Sequence, residues 1–180
     1  IMVLHIKNNL ARKSNQIVKR LFDVAATIIG GICILPVLFI VAAWIYHDSP
    51  GPVLYKHRRI GKNGKEFDCY KFRSMCVNSQ EVLEELLASD PAAKEEWDRD
   101  FKLKNDPRIT RSGAFLRKTS LDELPQLINV LKGEMSLVGP RPALYNQYDL
   151  KEMRNKEGIN ILVPGLTGWA QINGRDEISL

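Results

Sequence analysis

Two adjacent carboxylates, Asp122 and Glu123, are the residues of this sequence best suited to chemistry, because they stand at the start of an apparent helix. Further along, Arg141 lies between Pro140 and Pro142, which stiffen the loop that presents it. Paired carboxylates bind divalent metals, and a fixed arginine binds phosphate oxygens. The combination is typical of chemistry on a phosphate ester with a divalent metal.

The acid pair has two interpretations from the residues alone. Ser120 and Glu123 have the spacing of a capping box, and apolar residues at helical spacing follow from Leu121 to Leu131. Glu123 would then cap the helix, and Asp122 would complement its dipole. The functional interpretation uses the same geometry, since a helix N-terminus binds phosphate and favours an ionised carboxylate. Asp122 would be a nucleophile or metal ligand, and Glu123 a metal ligand or proton acceptor.

Basic residues form the second part of the candidate site. Arg117 precedes the acid pair and, together with Arg141, would clamp phosphate oxygens. The segment VLYKHRRIGKNGKEFDCYKFRSM predicts a β-hairpin, because aromatic-rich runs flank Asn63-Gly64, a strong signal for a type I′ turn. Cations near this turn are typical of a solvated hairpin. Lys71 and Arg73 lie away from the turn and are the better candidates for substrate binding.

An apolar segment from Leu21 to Tyr46 contains only Asp23 as a charged residue and is long enough to cross a bilayer as a helix. Pro36 lies in its middle, removes one helix hydrogen bond and favours a kink. Basic residues flank both ends, and the positive-inside rule would keep both flanks cytoplasmic. A re-entrant helix, which enters and leaves the bilayer by the same face, agrees with both the proline and the two basic flanks. A single span is the alternative.

The overall composition narrows the class of protein. The chain has 180 residues and a net charge of +5, which suits nucleic acid, an anionic lipid surface or phosphorylated substrates. Nucleic-acid binding would explain the charge but neither the membrane segment nor the acid pair. Three cysteines without CxxC spacing indicate a reducing compartment, and the three histidines form no metal-ligand pattern. The ends at Ile1 and Leu180 indicate a trimmed fragment whose C-terminal elements are missing.

From the residues alone we expect an α+β fold, mainly helical with a small β-hairpin, after an N-terminal membrane helix that is either re-entrant or a single span. The boundaries follow the composition: a basic lead-in over 1–20, the membrane helix over 21–48 and a cytosolic catalytic domain over 49–180. Within that domain, residues 78–104 predict a helical insert of two amphipathic pieces broken at Asp90-Pro91.

Four motifs together resemble the bacterial sugar transferase family, the monotopic phosphoglycosyl transferases. They are KRLFDV at the entry to the membrane helix, the GPVLYKHRRIGKNGKEFDCYKFRSM hairpin, SLDELPQLINVLKGEMSLVGPRP and PGLTGWAQINGR. The resemblance covers nearly the whole chain, and the SLDELPQL and GPRP pair at this spacing is very specific. Leu35-Pro36 stands where some members have Ser-Pro, and the family's portion after NGR is nearly absent.

The resemblance implies transfer of a sugar phosphate from a UDP-sugar to polyprenyl (undecaprenyl) phosphate at the cytoplasmic face of the bacterial inner membrane, with release of UMP. Asp122 would form a covalent phosphosugar intermediate, and Glu123 would help to hold Mg²⁺. Arg117, Arg141 and Arg175 would contact phosphate and nucleotide. The family's re-entrant helix bends near a proline, here Pro36. The product would start the assembly of a surface glycan such as an O-antigen or an exopolysaccharide.

Two alternatives stay open. One is a direct transfer without a covalent intermediate, in which Asp122 and Glu123 only bind metal. The other is a catalytically silent membrane adaptor that binds anionic lipid through the basic hairpin. The sequence names neither the sugar nor the pathway, and a homo-oligomer is left open.

Overall fold

The computed structural model describes residues 12–101, 103–144, 152–154, 156 and 158–172. Five strands and five longer helices carry the architecture. In chain order they are α1 (Lys13–Asp48), β1 (Leu54–Ile60), β2 (Glu66–Phe72), α2 (Ser79–Ser89), α3 (Pro91–Asp100), α4 (Arg111–Thr119), α5 (Leu127–Lys132), β3 (Ser136–Val138), β4 (Ala143–Leu144) and β5 (Gly165–Thr167). The mainly helical α+β class is confirmed.

The β structure is larger than the predicted hairpin. Strands β1 and β2 belong to a three-stranded sheet of order β2-β1-β4, in which β4 pairs antiparallel with β1. A second sheet joins β3 and β5 in parallel, with Ser136 opposite Gly165. These added strands are two or three residues long, too short to show a periodic pattern in the sequence.

The turn of the hairpin has the predicted type I′ conformation. Asn63 has φ 57° and ψ 28°, and Gly64 has φ 74°, so both central residues are left-handed. The Lys65 N–H donates to the Lys62 carbonyl at 3.2 Å and closes the turn.

Helix α1 spans 36 residues and continues through Pro36. Its most apolar 18-residue window has a mean hydropathy of 2.7, and only 11% of that window is buried. Large apolar side chains such as Phe22, Ile29, Phe39 and Ile40 are therefore exposed along the helix. A helix of this length and hydropathy meets the requirement for entering a bilayer. The re-entrant path and the predicted domain boundaries stay predictions.

The chain forms two compact units. Of the described residues, the first contains 12–34, 58–69 and those between 126 and 172, and the second contains 35–57 and those between 70 and 125. The core of the first unit is made by Phe67, Cys69, Val130 and Met135. The core of the second unit is made by Val41, Ile45, Phe72 and Leu116.

The predicted capping box at Ser120 is wrong. Ser120 is the C-cap of α4, with a left-handed φ of 59°, and a 3₁₀ segment, Leu121–Gln126, follows it. An α-helix begins only at Leu127. The physical reason is the backbone of Ser120, which is left-handed because this residue ends α4, whereas an N-cap residue has an extended backbone. Pro125 also disfavours a regular α-helix from Leu121, because it has no N–H to donate to the Leu121 carbonyl.

Residues 78–104 contain the two predicted helices, α2 and α3. The break lies at Asp90, whose carboxylate accepts from the N–H groups of Ala92 and Ala93 at 2.9 and 3.2 Å. Pro91 follows at the first helical position, where its missing N–H is not needed.

Candidate active site

One ammonium group joins both carboxylates of the acid pair within the second unit. Lys71 Nζ lies 2.9 Å from Glu123 Oε1 and 3.7 Å from Asp122 Oδ2. The three side chains are mostly buried, with 19%, 17% and 13% of their surfaces exposed for Lys71, Glu123 and Asp122. One positive charge therefore faces two negative charges in a partly desolvated pocket.

Local structure explains how these side chains meet. Successive side chains on a strand point to opposite faces, and Phe72 of β2 is buried in the core, so its neighbour Lys71 points away from that core. Leu121 packs against the same core and anchors the start of the 3₁₀ segment. The next two residues of that segment are Asp122 and Glu123.

Burial shifts the protonation equilibrium of Asp122 toward the neutral form. Desolvation raises the pKa of its carboxyl above the ordinary value, and the negative charge of Glu123 adds to this rise. The positive charges of Lys71 and Arg117 lower the pKa but do not cancel the effect of burial. The charged form of Asp122 is therefore less stable than it would be in water, and an added cation would stabilise it.

Arg117 is positioned beside this pocket by α4. Its Nε donates to Ser74 Oγ at 2.9 Å, and its side chain is otherwise exposed. Gly113 allows the close approach, because a Cβ there would lie 2.0 Å from the Ser74 carbonyl oxygen. The exposed guanidinium is available to an anionic ligand. The contribution of Ser74 was missed from the sequence, since a contact between residues 43 positions apart leaves no local signal.

Arg73 lies in a different environment. It is buried, with 8% of its surface exposed, and its Nη2 donates to the Ser49 carbonyl just after α1. Its contacts among the described residues include neither Asp122 nor Glu123. The predicted role of Arg73 in substrate binding stays a prediction.

Of the remaining predicted arginines, the structure describes Arg141, which belongs to the first unit. Arg141 is exposed between its two prolines, and Arg175 lies outside the described residues. Their predicted contacts with phosphate and nucleotide stay predictions. The structure therefore brings together Lys71, Asp122 and Glu123, with the charge of Arg117 acting on Asp122.

The acid pair offers carboxylate oxygens, the type of donor that Mg²⁺ uses in proteins. Within the described part of the chain, no cluster of three or more histidine, cysteine or acidic side chains occurs. Mg²⁺ does not require one, because it commonly binds through one or two carboxylates, with waters and substrate phosphates completing its shell. Two adjacent, partly exposed carboxylates that share one ammonium fit that donor set.

Comparison with known proteins identifies the class. The model of the bacterial sugar transferase family matches residues 14–180, and the chain belongs to this family. It is 51% identical over 178 residues to the undecaprenyl-phosphate galactose phosphotransferase of Salmonella typhimurium, an alignment that covers 99% of this chain and 37% of that protein.

Two further relatives differ in length. The exopolysaccharide production protein ExoY of Sinorhizobium fredii is 46% identical over 168 residues, with 93% of this chain and 74% of that protein covered. The UDP-glucose:undecaprenyl-phosphate glucose-1-phosphate transferase of Xanthomonas campestris pv. campestris is 38% identical over 178 residues, with 97% and 34% covered. The chain thus spans about a third of the longer curated relatives, and most of the shorter one.

Proposed function

We propose that the chain transfers a sugar-1-phosphate from a UDP-sugar to a polyprenyl phosphate such as undecaprenyl phosphate, with release of UMP. Family membership and the names of its relatives support this class of transfer. The observation that carries the proposal is the meeting of Asp122 and Glu123 at the Lys71 ammonium in a mostly buried pocket, because two adjacent carboxylates supply one group for attack and one for a divalent cation.

The reaction proceeds in two displacements. An Asp122 carboxylate oxygen attacks the phosphorus next to the sugar, a new O–P bond forms, and the bond from that phosphorus to the oxygen bridging it to UMP breaks. UMP leaves with the bonding electrons. An oxygen of the lipid phosphate then attacks the same phosphorus, the Asp122 O–P bond breaks, and a polyprenyl diphosphate sugar is formed.

The side chains around Asp122 keep it reactive. Its pKa is raised by burial, so attack requires positive charge nearby to favour the carboxylate. Lys71 supplies part of that charge, and Arg117 binds the oxygens of the diphosphate. Glu123 and Asp122 would hold Mg²⁺, which when bound neutralises the negative charge of the diphosphate and the leaving UMP.

The covalent step is tested by incubating the full-length protein with UDP-galactose, UDP-glucose and UDP-N-acetylgalactosamine in the absence of lipid acceptor. We expect one of the three donors to give a burst of about one UMP per chain, and a phosphosugar mass on the peptide containing Asp122. The Asp122→Asn variant should give neither. UMP release that requires the lipid acceptor, with no adduct, would favour direct transfer.

We further propose that α1 enters and leaves the bacterial inner membrane on the cytoplasmic face, with its bend near Pro36. The basic flanks on both sides of the apolar segment support this path. The test replaces the three native cysteines and introduces single cysteines before Lys19 and after Lys56 for labelling in intact cells. Both should be shielded from an impermeant reagent, and labelling of one flank alone would show a single span.

A further inference from the structure

A cavity of about 310 Å³ lies in the first unit, beside the first turns of α1. Its wall includes Lys19, Arg20 and Asp23 from the helix and Ser136 from β3. Lys19 and Arg20 directly precede Leu21, the first residue of the apolar segment, so the cavity lies where a membrane-embedded α1 would meet the headgroup region.

The cavity carries excess positive charge. Asp23 is the acidic residue of its wall, and that carboxylate is already paired: Lys19 Nζ lies 3.0 Å from Oδ2, and Ser136 Oγ donates to the same oxygen at 2.7 Å. Two further cations, Arg20 and Lys62, face the same cavity, and the described residues of its wall include no second carboxylate.

Arg20 is held in place by neutral acceptors. Its two terminal nitrogens donate to the carbonyls of Val130 and Leu131 at the end of α5, at 2.5 and 2.9 Å. These bonds fix the guanidinium without neutralising it. A guanidinium has five N–H donors, so two bonds leave donors for an anionic ligand.

Apart from Gln16, the rest of the wall is made by apolar residues and glycines, and it opens to the outside. Val138 and Ile161 line the cavity while leaving 58% and 61% of their surfaces exposed. Val18 and Leu21 of α1 are exposed to a similar degree. An occupant with an anionic head and an apolar body would satisfy both parts of the wall.

We propose that this cavity binds the headgroup phosphate of an anionic phospholipid from the surrounding bilayer. The phosphate accepts from Arg20 and Lys62, and the start of the acyl chains covers Val138 and Ile161. Phospholipid is the occupant because it surrounds a membrane-embedded α1 at this depth. This inference rests on the membrane location in the proposed function.

Two lysines of one turn provide a matched test. Lys62 lines the cavity, whereas Lys65, three residues away and also exposed, does not. The variants Lys62→Glu and Lys65→Glu change the net charge equally, so they attract an anionic bilayer equally. The full-length protein and both variants are placed in nanodiscs of equal phosphatidylglycerol and phosphatidylcholine and released into mild detergent. Native mass spectrometry then counts the lipids that stay bound.

We expect the unaltered protein and Lys65→Glu to retain phosphatidylglycerol over phosphatidylcholine, and Lys62→Glu to lose that preference by about tenfold. Equal retention by the two variants, or no preference in the unaltered protein, would overturn the site. In discs doped with undecaprenyl phosphate, its retention in place of phosphatidylglycerol would also overturn the phospholipid assignment. UMP release measured on the same samples tests the proposed function separately.

Discussion

A lysine meets aspartate in each unit, but the two arrangements differ in their charge balance. In the first unit, Lys19 pairs with one carboxylate, Asp23, and Ser136 adds a hydroxyl donor to it. In the second unit, Lys71 is shared by Asp122 and Glu123. In the first arrangement one ammonium faces one carboxylate, whereas in the second one ammonium faces two carboxylates, and the charge of Arg117 also acts on Asp122.

This difference in charge balance distinguishes a contact that supports the fold from a group of side chains suited to a reaction. A buried carboxylate with matched donors joins segments that are far apart in sequence, as Asp23 joins α1 to β3. A carboxylate whose pKa is raised by burial, as that of Asp122 is, is less stable in its charged form, and carboxylates with shifted pKa values are typical of functional sites. The comparison predicts that changes at Lys71 and Asp122 affect turnover, while changes at Asp23 affect stability.

The largest expected effect is that of Asp122→Asn on turnover. The amide is isosteric but not nucleophilic, so UMP release should fall by about 10⁴-fold or more. The melting temperature at neutral pH should rise, because the variant removes a buried charge whose pKa is raised by desolvation. The measurements are UMP release and thermal unfolding without added divalent cation. Substantial remaining turnover would exclude Asp122 as the nucleophile.

The next effect is that of Lys71→Met. Removing the shared cation raises the pKa of Asp122 further, since the charge of Lys71 lowers it. Turnover should fall by about 10²–10³-fold, and the acidic limb of the pH–rate profile should move to higher pH.

Lys71→Arg is the matched control, because it keeps the charge and should keep the pH profile. The readout is kcat/KM as a function of pH for both variants. A lower rate with an unchanged acidic limb in Lys71→Met would mean that Lys71 acts on the substrate alone.

The sequence predicted the members of this site better than their geometry. Asp122, Glu123 and Lys71 were recognised from residue type and motif, and the type I′ turn at Asn63-Gly64 from its dipeptide. The capping box was wrong, because the Ser120 and Glu123 spacing suits either a capped α-helix or a 3₁₀ turn. The left-handed backbone of Ser120 excludes the cap, because it follows from the end of the preceding helix α4 rather than from the Ser120 and Glu123 spacing.

Contacts between residues far apart in the chain could not be predicted from the sequence. The pairing of Asp23 with Ser136 joins residues 113 positions apart, and β4 and β5 are too short to leave a periodic pattern. An aspartate in an apolar segment is a visible signal for a buried partner, but the partner's identity depends on how the chain folds back.

The variant Asp23→Ala tests whether the contact of Asp23 with Lys19 and Ser136 supports the fold rather than the reaction. The change leaves Lys19 and Ser136 without their shared acceptor, so the protein should lose about 2–3 kcal/mol of stability. Turnover per folded molecule should stay within about twofold of the original, since such positions act on stability rather than on the reacting groups. The checks are chemical denaturation in detergent and UMP release normalised to folded protein. A large loss of normalised turnover would contradict the division between the two arrangements.

The smallest expected effect concerns the pH dependence of stability. Two aspartates of the second unit, Asp106 and Asp122, should contribute to it with opposite signs. Burial favours protonation of Asp106, but hydrogen bonds from the Arg108 side chain and backbone outweigh it and lower the pKa. For a lowered pKa, the stabilisation is present above the ordinary aspartate value and is lost as pH falls through the folded-state value. Asp122 has a raised pKa, so its ionisation destabilises the fold as pH rises above the ordinary value.

Asp106→Asn should therefore lower the stability at pH 7 by about 1–3 kcal/mol, and this loss should shrink in acid. Asp122→Asn should raise the stability at pH 7, and this gain should shrink as pH falls. Melting temperatures of both variants from pH 7 to the acid limit, without divalent cation, provide the measurement. Effects of the same sign in the two variants would mean that Asp122 has enough compensating charge in the free protein. The site would then already be balanced before any cation or substrate binds.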